Sequence, residues 1–124
     1  MNNPEVTMHE QQQSSRFDAL DKATAAAGIA ISLVIRVPAP LKSLADQVIR
    51  AASSVPANIA EGAGRSGRDR LHHYRIAYGS AKEVDTHLRL LVGAGAIDND
   101  RAGTTLNLFD DVRAMTWRLL HPRP

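Results

Sequence analysis

Ala51-Ala-Ser-Ser-Val-Pro-Ala-Asn-Ile-Ala-Glu-Gly-Ala-Gly-Arg65 is the stretch on which the fold turns. Val48, Ala52, Val55 and Ile59 recur at spacings of three and four across it, the pattern of a helix with one buried face. Pro56 lies inside that pattern. Its ring has no N–H to donate and crowds the preceding turn, which predicts a kink near Ala52 to Pro56. Gly62 and Gly64 close the helix. The bend has two readings: packed neighbours require it, or it positions Asn58, Glu61 and Arg65 for a partner. For Glu61 and Arg65 the plainer reading is an i,i+4 pair on one helix.

Upstream, Leu41 and Leu44 extend the same stripe, and Pro40 suits the first turn of this second helix. Val37-Pro-Ala-Pro40 is a rigid connector from a first helix, predicted from Ser15 to about Arg36. Ser15 and Asp18 have the form of a capping box there, and Phe17, Leu20, Ala27, Ile31 and Val34 recur as its core face, with Thr24 filling the gap. Residues 1–14 are polar, contain Gln11-Gln-Gln13 and show no apolar period, so they read as a disordered tail before a domain of residues 15–121.

Downstream, Ser66 and Asp69 repeat the capping-box form. A third helix follows from about Arg68 to Val92, with Tyr74, Ala77, Ala81, Val84, Leu88 and Leu91 inward. Gly93-Ala-Gly-Ala96 ends it. A fourth, from about Asp100 to Leu120, buries Leu106, Phe109, Val112, Met115 or Thr116, and Leu119. Nothing alternates at period two over strand length. The chain therefore reads as all-α, an up-down four-helix bundle with its second helix kinked at Pro56.

The chain has 124 residues, enough for one domain. Apolar residues make up 44% of it but aromatics only 4%, so aliphatic side chains must fill the core. The absence of cysteine excludes disulfides, thiolate metal sites and thiol nucleophiles. The most apolar run, Ala25 to Val37, is broken by Gly28, Ser32 and Arg36 and is shorter than the roughly 20 residues of a membrane span. No secretory signal is visible, and a cytoplasmic location is the expectation.

A formal charge of only +2 makes the placement of cations decisive. Arg65 to Arg75 holds four arginines and two histidines against Asp69. Within it and beyond, Arg68, Arg75, Lys82 and Arg89 recur every seven residues on the far side of the third helix. Seven residues is nearly two turns, so these cations form a row with neighbours about 10.5 Å apart. With Arg65 and Arg70 they are the candidate contacts to nucleic-acid phosphates. The competing reading is a solvated face, partly balanced by Asp85 and Arg89. His72-His73 with His87 lacks the spacing of a metal site, so no metal or other cofactor is expected. Ser53, Ser54 and Ser80, the candidate nucleophiles, have no histidine close by in sequence. Ser80 and Asn58 read as buried polar groups bonding between helices 2 and 3.

Leu44-x-x-Gln47, Arg50-Ala-Ala52, Ser54-Val-Pro-Ala-Asn-Ile-Ala-Glu-Gly62 and Ile76-Ala-x-Gly-Ser80 with Glu83 together resemble one known family. It is that of the four-helix-bundle proteins encoded in intervening sequences of bacterial large-subunit ribosomal RNA genes, related to the accessory variability protein of diversity-generating retroelements. The resemblance spans about residues 16–121. It implies a cytoplasmic, ring-like homo-oligomer, often a pentamer, without catalytic activity and with a basic surface suited to nucleic acid. It also offers a protein partner, since the accessory protein works beside a reverse transcriptase. Pro56, Asn58, Glu61, Gly62, Ser80 and Glu83 carry over as motif positions.

Overall fold

Four helices account for nearly all of residues 7–123, the residues described by the structure, a computed structural model. They are α1 (Met8–Val34), α2 (Lys42–Ala63), α3 (Gly67–Gly93) and α4 (Asn99–Leu120), with one 3-10 turn, Ala39–Leu41, ahead of α2. Among the described residues there is no strand. Each helix packs on its sequence neighbours, α4 closes on α1, and the broadest contact is α2 with α3. This is the up-down bundle that short connectors impose. No described helix is long and apolar enough to cross a membrane.

The start of α1 corrects the expected boundary at Ser15. Thr7 is extended and its Oγ1 accepts the Glu10 amide at 3.1 Å, so the helix begins at Met8 and residues 8–14 belong to it. Glutamine is a good helix former, and an exposed first stretch needs no apolar period. Ser15 is interior, donating its hydroxyl to the Gln11 carbonyl at 3.0 Å. Residues 1–6 of the expected tail lie outside the described residues.

The buried face of α1 is also turned from the expected stripe. Ala19, Ala23, Ala26 and Ala30 are fully buried and Leu33 nearly so; of the expected stripe Ala27 and Val34 are buried and Leu20 packs at the edge, while Phe17 is 66% exposed and Thr24 faces out. Volume decides this. The large interior side chains come from the other helices: Ile59 from α2, Tyr74, Leu88 and Leu91 from α3, and Phe109 from α4. A close-packed interior then accepts small residues from α1 more readily than another phenyl ring.

The stripes of α2 and α3 fall where the period places them, with Val48, Ala52, Val55 and Ile59 facing Tyr74, Ala77, Ala81, Val84, Leu88 and Leu91 across the core. In α2 the inward set adds Ala45, Ala51 and Gly62, and Leu41 and Leu44 pack at its edge. In α4 Ala102 and Thr105 join Phe109, Val112 and Thr116, with Leu106, Met115 and Leu119 at the margin. The helix α2 runs unbroken through Pro56, whose missing N–H leaves the Ala52 carbonyl without its usual donor. Asp98 caps α4 by accepting the Arg101 amide at 3.0 Å. Gly95, at φ +74, turns the chain out of α3 while the Ala96 amide reaches back to the Leu91 carbonyl, a closure that favours glycine.

Candidate nucleic-acid interface

The helices α2 and α3 are joined by three residues, Gly64, Arg65 and Ser66, so α3 folds straight back along α2. Gly62 meets Tyr74 there. A Cβ on Gly62 would stand 2.6 Å from Tyr74 Cε1 and 3.2 Å from the Arg70 carbonyl oxygen, closer than packed atoms approach. Glycine is therefore what lets the tyrosine ring lie against the end of α2. Beside it Arg70 donates Nε to the Gly62 carbonyl at 3.1 Å and Nη2 to the Ala63 carbonyl at 3.5 Å. The Gly62 carbonyl also accepts the Arg65 amide at 3.1 Å, so the guanidinium adds a second bond there and reaches the Ala63 carbonyl at the negative pole of the helix dipole.

One helical turn further from the connector, the motif asparagine begins a polar chain. Asn58 donates Nδ2 to the Ser54 carbonyl at 2.9 Å and to Ser54 Oγ at 3.1 Å, leaving its Oδ1 to accept from His73 Nδ1 at 3.0 Å. That geometry puts the His73 proton on Nδ1. Ser80 Oγ donates to Ser54 Oγ at 2.9 Å. Asn58 and Ser80 thus bond across α2 and α3 through Ser54 and His73 rather than to each other. Sequence reasoning missed those two intermediaries. No general-base geometry arises at Ser80, whose hydroxyl is directed to another hydroxyl. Glu83 stands exposed outside this chain, without an ion pair among the described residues.

The expected phosphate contacts separate into two groups. Arg65 is engaged by two carboxylates: it bonds Glu61 Oε1 at 2.8 Å and Asp69 Oδ2 at 2.7 Å. Its hydrogen bonds hold both carboxyls below the usual carboxylate range, and they in turn raise Arg65, Asp69 most strongly. Asp69 therefore serves Arg65 instead of the capping role expected of it, and Ser66 makes no side-chain cap bond. Arg70 is the cap described above. Arg89 bonds Asp85 Oδ1 at 2.7 Å, which raises its pKa, and Asp85 also lies 3.7 Å from Arg113.

Arg68, Arg75 and Lys82 form the second group. All three are exposed on the face of α3 that the heptad spacing predicts, and none has a carboxylate partner among the described residues. Lys82 Nζ sits 5.9 Å from the Tyr78 ring centroid, a loose cation–π approach that leaves the ammonium toward water. Such a row can meet successive phosphates as point charges and forks, with no feature that reads a base. Among the described residues, no group of three or more histidines and carboxylates is placed to hold a metal.

Comparison with known proteins follows this geometry. The family model for the 23S rRNA-intervening sequence protein matches residues 17–118. A crystal structure of a protein of unknown function from the S23 ribosomal protein family of Bacteroides thetaiotaomicron superposes with a TM-score of 0.79 at 21% identity, covering 86% of this chain and 98% of that one. Among curated proteins, none matches the chain.

Proposed function

The chain belongs to the 23S rRNA-intervening sequence protein family, and from that premise we propose a non-enzymatic, homo-oligomeric helical bundle that holds nucleic acid by its phosphates. The observation that carries the reading is the exposed series Arg68, Arg75 and Lys82 on one face of α3, free of carboxylates among the described residues. Three of the six candidates leave the reading: Arg65 is held by its two acids, Arg70 holds the end of α2, and Arg89 is paired with Asp85. A three-cation contact binds without sequence preference. On a duplex it gives a log–log salt slope of about −3 for each bound protomer.

Self-association rests on apolar side chains left outside the core, among them Phe17, Ile35 and Leu90, each more than half exposed. Their burial between copies is what a homo-oligomeric ring would provide, five-membered if it follows the resemblance. The competing function is a scaffold for another protein, such as a reverse transcriptase, without contact to nucleic acid.

Fluorescence anisotropy with a labelled duplex over a salt series tests the two, on protein whose mass is read by light scattering. Binding that weakens steeply with salt, and that is lost in the Arg68→Glu, Arg75→Glu, Lys82→Glu triple variant, is the expected result. Absence of binding at low salt would favour the scaffold.

A further inference from the structure

A large cleft lies away from the α3 row and contains none of its four residues. It has a volume of about 1110 Å³ and is framed by the first half of α1, the start of α3 and the end of α4. Three features set it apart from an ordinary surface groove. Arg16 lines it and is only 8% exposed, yet has no carboxylate partner among the described residues. Tyr74 lines it too, and its buried Oη has no hydrogen-bond partner. Burial raises the phenol's pKa, while Arg16, by its charge and its donor N–H groups, and then the Arg70 charge oppose that shift, which puts the Arg16 guanidinium beside the hydroxyl.

A buried hydroxyl without a partner is costly to keep dry, and a largely covered guanidinium without a carboxylate beside it favours an anion. Both can donate to one oxyanion. The charge of the cleft agrees: Arg118 and Arg123 add to Arg16, while the Asp110 carboxylate is already paired with Arg113 and only Asp18 opposes them. The third feature is a flat aromatic wall. Trp117, half exposed, stacks on His121 with ring centroids 4.1 Å apart and planes 27° from parallel. The imidazole is fixed there, because the Trp117 carbonyl lies 2.9 Å from His121 Nδ1.

We propose that this cleft is a nucleotide site, in which Arg16 and Tyr74 Oη donate to a phosphate and the Trp117 side carries the planar base. An oxyanion joined to a flat ring is the ligand that answers both the unpaired donors and the aromatic wall. The site does not rest on the α3 row, and it can be occupied by a free nucleotide or by the phosphorylated end of a strand.

Trp117 is the chain's single tryptophan, so its fluorescence reports the site directly. The full chain is titrated with adenosine monophosphate, adenosine, inorganic phosphate and a 5′-phosphorylated dinucleotide. Saturable quenching by the monophosphate is expected, with adenosine weaker by about tenfold or more because the charge-assisted bonds are missing. Arg16→Gln loses a similar factor, and Tyr74→Phe, which keeps the ring against Gly62, loses severalfold. A dinucleotide that binds as tightly as the monophosphate assigns the strand end; one that does not assigns the free nucleotide.

Equal binding of adenosine and the monophosphate would overturn the proposal, as would no saturable quenching. So would inorganic phosphate matching the monophosphate, since the ring would then contribute nothing. If Arg16→Gln fails to fold, Tyr74→Phe decides alone, and unchanged affinity there rejects the site. The Arg68→Glu, Arg75→Glu, Lys82→Glu variant keeps its affinity for the monophosphate; its loss would place the binding on α3 and overturn the cleft.

Discussion

The seam between α2 and α3 and the outer row of α3 draw on the same short run of sequence, yet they treat their polar groups in opposite ways. In the seam, Asn58, Ser54, His73, Ser80 and the Arg70 guanidinium are all hydrogen-bonded, and Gly62 is shaped to a tyrosine ring. On the row, Arg68, Arg75 and Lys82 face water without carboxylates among the described residues. Two arginines two residues apart thus have different tasks. Arg70 holds a helix end, whereas Arg68 has nothing of the fold to hold. The difference separates motif residues kept for architecture from cations available to a ligand.

The largest effect expected from breaking the seam is at Gly62. Gly62→Ala drives a methyl into the Tyr74 ring and the Arg70 carbonyl, costing about 2 kcal/mol in urea unfolding. Gly79→Ala is the control: its Cβ meets nothing, so the better helix former should stabilise by about 0.5–1 kcal/mol. Equal signs for the two would show that the ring contact does not govern Gly62.

Asn58→Ala comes next. It strands His73 Nδ1 and removes the bridge to Ser54, for a loss of about 1–2 kcal/mol in the same assay. The sharpest contrast is between neighbours. Arg70→Ala should cost about 1 kcal/mol through its lost hydrogen bonds to the end of α2, while Arg68→Ala stays within about 0.5 kcal/mol of the parent. A stability loss at Arg68 as large as at Arg70 would erase the division.

The smallest effect is one of pH. Arg65 lowers the folded-state pKa of both Glu61 and Asp69. A depressed carboxyl contributes stability that is present above its unfolded pKa and lost as pH falls through the folded one, so this contribution fades only on the acid side. Both groups are fully exposed and solvent screens them. The visible sign is therefore in side-chain NMR titration, where Glu61 and Asp69 should titrate below the free carboxyls and move back up in Arg65→Gln.

Much of the seam was legible before any coordinates. The three-and-four spacing of Val48 to Ile59 and of Tyr74 to Leu91 fixes which faces meet, and Asn58 and Ser80 were readable as polar groups between those helices. The heptad row was legible for the same reason, since it depends only on helix period. Side-chain choice was not. Arg65 had both Glu61 and Asp69 one turn away, and nothing in the spacing says that it takes both. Arg70 reaches back across the turn to carbonyls, an option invisible to a count of charges.

The first helix failed differently. Hydrophobicity ranks Phe17 above Ala19, but the interior already holds Tyr74 and Phe109, so the alanines go in. The cleft residues gave little signal. Arg16 lies at the edge of a polar segment, and Tyr74 had already been assigned to the core by its period.

The central claim is that the unpaired cations of α3, rather than the engaged ones, meet phosphate. Duplex binding at low salt, compared between an Arg68→Gln, Arg75→Gln, Lys82→Gln variant and an Arg65→Gln variant, tests it most directly. The account predicts a loss of roughly tenfold or more in the triple variant, with a salt slope near zero, and little change in Arg65→Gln. Equal affinity in the triple variant and the parent, with both folded, would contradict it.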